Sequence, residues 1–61
     1  MTEGEIETRD EIVDFVYENG PNGISAYEVD FVYFIECLTG DYKLSDKQKD
    51  LMGQIKEKLG I

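Results

Sequence analysis

The sequence predicts an all-α fold, a small three-helix domain over residues 8–61, on three observations. Three segments open on Ser or Thr with Glu or Gln three positions later, the pattern of a capping box. Each runs on into a stretch of helical length that ends at a glycine. The connections between them, Gly20 to Ile24 and Gly40 to Leu44, are short, which favours neighbouring helices packed on one another.

The first box is Thr8-Arg9-Asp10-Glu11, which places a helix over about 9–19. Asp10 and Glu11 stand at the positive end of its dipole. Gly20 supplies a left-handed cap and Pro21 forbids continuation. Residues 1–7, MTEGEIE, read as a flexible acidic lead-in. The second box, Ser25-Ala26-Tyr27-Glu28, has Ile24 before the cap and Val29 at the fourth helical position, a hydrophobic staple. It opens a helix over about 26–39, with Gly40 as the stop. The third, Ser45-Asp46-Lys47-Gln48, opens a helix over about 46–59 that ends at Gly60. Lys56 and Lys58 suit its last turn. Gly53 weakens it by about 1 kcal/mol relative to alanine, and either permits close approach of another helix or is simply tolerated. A ββα arrangement is the alternative. Residues 12–17 and 29–35 are rich in β-branched and aromatic residues, and ENGPNG resembles a hairpin turn, but neither run alternates cleanly.

A chain of 61 residues buries only about 60% of the surface its unfolded form exposes. The single cysteine, Cys37, removes an intrachain disulfide as a stabiliser, and a metal site built on histidine is ruled out because the chain has none. Helix packing, self-association or a partner remain. Cys37 lies in an apolar run and reads as a small buried hydrophobe in a reducing compartment. No signal peptide is apparent, and the apolar run 31–35 is far too short to span a bilayer. A soluble, cytoplasmic protein without membrane contact is expected.

Charge divides the chain. Residues 1–41 hold eleven acids and one base, Arg9, for a net −10, whereas residues 42–61 hold three acids and five bases, for +2. Such a field opposes direct nucleic-acid binding and attracts basic surfaces.

The apolar faces differ as well. Leu44, Leu51, Met52, Ile55 and Leu59 form one stripe of an amphipathic third helix. The second helix has only three charges between Ala26 and Leu38, at separate angles, so it shows no broad polar face. The first adds Val13 and Tyr17 to one side of its core residues Ile12, Phe15 and Val16. This surplus is either a filled mini-core with tyrosine hydroxyls in water or a tyrosine-rich patch for a partner.

Chemistry is sparse. No histidine is available near neutral pH, no glycine-rich phosphate loop is present, and Asp41 does not begin a calcium-binding loop. Neither enzyme activity, nor a metal, nor a cofactor is expected.

Residues 30–59 resemble a helix–turn–helix segment of small phage-encoded and phage replication-associated proteins. There an aromatic helix is followed by a turn ending in Leu-Ser-x-Lys-Gln, matched here by Leu44, Ser45, Lys47 and Gln48. The resemblance implies no catalytic residue. It implies a phage accessory protein acting in the host cytoplasm by binding and modulating a host protein, as an inhibitor for example.

Three functional readings follow. The first is a small acidic protein-interaction module that uses Tyr17, Tyr27 and Tyr33, framed by Asp14, Glu18 and Asp30. The second is a nucleic-acid mimic in which Asp10, Glu11, Asp14, Glu18, Glu28, Asp30 and Glu36 imitate phosphates and block a DNA- or RNA-binding protein. The third is a homodimeric structural domain joined through the second helix.

Overall fold

A computed structural model describes all 61 residues and contains three α-helices and no strand, so the ββα alternative falls. Helices α1 (Glu3–Asn19), α2 (Ala26–Glu36) and α3 (Asp46–Leu59) form a bundle of 29 × 21 × 18 Å. Packing against both partners makes α1 the hub, while α2 and α3 approach each other less closely. The N-terminal amine just before α1 donates to the Gly40 carbonyl just beyond α2, and a short link joins the end of α1 to the start of α2, so these two helices run antiparallel. The ion pairs Glu5–Lys49 and Glu11–Lys56 step along α1 and α3 in the same direction, so these two run parallel.

The start of α1 departs from the expectation. The operative capping box is Thr2 with Glu5, each side chain bonded to the other's backbone N–H, so residues 3–7 are helical rather than a flexible lead-in. Both Thr2 and Thr8 satisfy the same pattern, and the upstream one prevails because no proline lies between them and the one glycine, Gly4, falls in the first turn. The Thr8 hydroxyl donates back to the Gly4 carbonyl at 2.9 Å, as a helix-interior threonine does. The other end falls at Asn19 as expected. Gly20 follows with φ 81° and ψ 166°, a glycine-favoured region but not the left-handed helical one.

The end of α2 also differs. It stops at Glu36 instead of continuing to 38 or 39, and Gly40 is not its cap. The last turn tightens, with the Cys37 and Leu38 N–H groups donating to Phe34 and Ile35. Arg9 Nη1 then donates to the Ile35 and Leu38 carbonyls at 3.0 and 2.9 Å. A guanidinium from another helix thus satisfies the Leu38 carbonyl and adds a second donor to that of Ile35, at the negative end of the α2 dipole. By contrast α3 matches its expected span, with the Ser45–Gln48 box at one end and left-handed Gly60 at the other.

The core is one cluster: Ile12 and Val16 from α1; Phe31, Val32 and Ile35 from α2; Leu44, Met52, Ile55 and Leu59 from α3 and its approach. Leu51 is only half-buried at its edge. No buried side-chain nitrogen or oxygen lacks a hydrogen-bond partner. A side chain at Gly53 would meet nothing within 4 Å, so this glycine is tolerated and serves no helix contact.

Candidate protein-interaction surface

The bundle leaves its tyrosines outside. Relative exposure is 72% for Tyr27, 64% for Tyr17, 47% for Tyr33 and 43% for Phe34. The reason lies in α2. Its buried residues Glu28, Phe31, Val32 and Ile35 share one face at about 100° per residue. The remaining apolar residues therefore turn outward in two groups. Tyr27 and Phe34, seven residues apart, take one flank; Val29, Tyr33 and Glu36 take the other; Asp30 and Cys37 lie between. The expected buried Cys37 is thus exposed, because its position falls on this outward face.

The predicted tyrosine site divides accordingly. Tyr17 and Tyr33 come together: the Tyr17 hydroxyl donates to the Glu36 carboxylate across the α1–α2 seam, beside Tyr33. That hydrogen bond raises the Tyr17 pKa, with desolvation and the Glu36 charge adding to the effect. Tyr27 stands apart, on the flank of Phe34. Two aromatics outside the predicted tyrosine site belong to that second flank. The Phe34 ring packs edge-on against Tyr42 at 6.1 Å and tilts against Phe31 at 6.1 Å. The signal for Phe34 was its seven-residue spacing from Tyr27; Tyr42 had none, because a non-helical segment carries it there.

The framing acids lie mostly on α1. Glu3, Glu7, Asp10, Glu11, Asp14 and Glu18 are all exposed and share the face of α1 opposite the core. Asp10 binds Arg9 at 2.7 Å and Glu11 faces Lys56 at 3.4 Å. Beside this ridge, Glu11, Asp14, Phe15, Glu18 and Ile61 line an open cleft of about 300 Å³. It holds carboxylates over an apolar floor and contains no nucleophile. No three carboxylate or thiol groups gather as a metal-binding set.

Glu28 leaves the set of phosphate mimics. Its side chain is 4% exposed and bonds Lys58 Nζ through both oxygens at 2.9 Å, while also accepting from the Ser25 backbone N–H. The Ser25 N–H first, then the Lys58 ammonium, hold its pKa below the usual carboxylate value against the opposing effect of burial. Asp30 and Glu36 remain exposed on α2, although the Tyr17 hydroxyl engages Glu36.

Comparison with protein-family models, curated proteins and solved structures finds no match. No helix is long and apolar enough to cross a membrane.

Proposed function

We propose that the protein is a docking module that binds another protein through the outward face of α2 and the adjoining edge of α1. One observation carries this reading: α2 buries one face in the bundle and leaves Tyr27, Tyr33 and Phe34 exposed on the others. Aromatic anchors surrounded by charge are the composition that interfaces favour. Tyr33, with Tyr17 beside it and Asp30 three residues before it on α2, is the anchor to test. The resemblance of residues 30–59 to small phage proteins makes a host protein the place to look. Tagged protein is incubated with host lysate and washed at low and then high salt. The expected result is one partner retained at high salt by the native chain and lost by Tyr33→Ala, with circular dichroism unchanged. Retention by Tyr33→Ala removes this site.

The acidic ridge of α1 favours a second reading, mimicry of nucleic acid. The six exposed acids of this ridge, from Glu3 to Glu18, give about one charge per 4.5 Å of helix axis, against about 3.4 Å per strand of B-DNA. This reading expects the captured proteins to bind nucleic acids and to be released as salt rises. Salt-resistant capture argues against it.

A further inference from the structure

We infer that the seam between α1 and α2 receives a cationic amphipathic helix of the partner, which rests on the docking reading above and gives the partner a chemistry. Val13 and Tyr17 lie four residues apart on one flank of α1. Val29 and Tyr33 lie four apart on the facing flank of α2. In two antiparallel helices these pairs form facing apolar rows, with Val13 resting on the core and the Tyr17–Glu36 hydrogen bond crossing between the helices as the floor of the seam. Tyr17 and Tyr33 are exposed, and Val29 is half-buried without belonging to the packed core. The opposite flank of α1, bearing Glu11 and Phe15, is the one α3 occupies through Lys56. A helix laid in the seam thus repeats on one side of the pair what α3 does on the other.

Charge selects the occupant. Asp30 and Glu36 on α2 border the seam, Glu36 holding the Tyr17 hydroxyl, and Asp14 stands on the exposed face of α1 between the seam and the Phe15–Ile61 cleft. The nearest base, Arg9, is already engaged by Asp10 and by the carbonyls at the end of α2. All five lysines lie between residues 43 and 58, in α3 and its approach. A second copy applied through the same face sets these acids against their own counterparts. A helix with an apolar stripe and flanking lysines or arginines matches both the rows and their border.

The test is a titration of the whole isotope-labelled chain, at physiological salt, with a synthetic amphipathic helix of leucine and lysine and with its leucine–glutamate counterpart. The expected result is saturable one-to-one binding of the lysine peptide, with amide shifts centred on Val13, Tyr17, Val29 and Tyr33. The glutamate peptide leaves the spectrum unchanged. An Asp14→Lys, Asp30→Lys double variant that retains its helical spectrum binds the lysine peptide at least about tenfold more weakly. Shifts spread over every acid, or confined to the Phe15–Ile61 cleft, overturn the inference. So does equal binding of the glutamate peptide, or a free spectrum that changes with dilution and so reveals a second copy in the seam. The two proposals fail separately. Salt-resistant, Tyr33-dependent capture from lysate with no peptide in the seam preserves the docking function and discards the cationic helix; loss of that capture discards the function itself.

Discussion

Two helices of unlike apolar content meet opposite fates: eight of the eleven residues of α2 are apolar or aromatic, against four of the fourteen of α3. The ends and faces of α3 are its own: Ser45 and Gln48 cap its start, Gly60 its end, and Lys56 and Lys58 complement its dipole. Its apolar stripe faces the core and its charges face outward. Only the start of α2 is closed by its own residues. Its last carbonyls are met by Arg9 of α1, its one buried acid by Lys58 of α3, and its outer aromatics only at their edges, Phe34 by Tyr42 and Tyr33 by Tyr17. A helix with a broad polar face can be finished by its own chain, whereas one that is apolar on most sides depends on what surrounds it.

The deepest test of this contrast is on the side of α2 that the bundle does finish. Ile35 is fully buried, and Ile35→Ala removes buried methylene and methyl groups and leaves a cavity, costing about 2–5 kcal/mol. In a 61-residue domain that loss is expected to unfold most of the population, as read by urea titration. A cost below about 1 kcal/mol would place this side of α2 outside the true core.

Arg9→Met comes next. It keeps an apolar stem but removes two charge-assisted hydrogen bonds to partly buried carbonyls, an expected loss of about 2 kcal/mol. Amide exchange localises the effect: the last turn of α2 should open faster than α3. Equal acceleration in both helices would make Arg9 a general packing residue rather than the cap of α2.

Glu28→Gln has a smaller effect and a pH signature. Glutamine keeps an acceptor for the Ser25 N–H, so mainly the ion pair to half-exposed Lys58 is lost, about 1 kcal/mol. The Glu28 pKa is lowered in the folded state. Its contribution is therefore present above the ordinary carboxylate pKa of about 4.3 and disappears as pH falls through the folded value. Stability of the native chain should drop through this acid range more steeply than that of Glu28→Gln. Parallel pH profiles would show that Lys58 does not hold the carboxylate.

How much of this was legible in the sequence follows the same contrast. The whole of α3 could be read because every residue that starts, stops and orients it lies inside it or next to it. The end of α2 could not, since its cap comes from a residue 26 positions from Ile35. Nor could the burial of Glu28, whose partner is 30 positions away. The start of α1 was ambiguous locally: Thr2 and Thr8 offer equivalent caps, and the acidic, glycine-containing lead-in resembled a loop. For the surface, the excess of apolar residues on α2 signalled exposure and the seven-residue spacing joined Tyr27 to Phe34, but grouping Tyr17 with Tyr33 needed the crossing of the helices.

Gly53→Ala is the mildest change and tests the self-sufficient partner in the comparison. The site lies in the exposed interior of α3 with open space where a Cβ would stand. Alanine reduces the backbone entropy lost on folding without meeting a neighbour, so it should stabilise the domain by about 1 kcal/mol. For a chain of this length that corresponds to a rise in melting temperature of roughly 4–8 °C. The gain should be independent of protein concentration, because the face bearing Gly53 needs no second chain. A loss of stability, or a gain that vanishes at high concentration, would mean that another copy approaches α3 there. In that case α3, like α2, would be a helix that its own chain leaves unfinished.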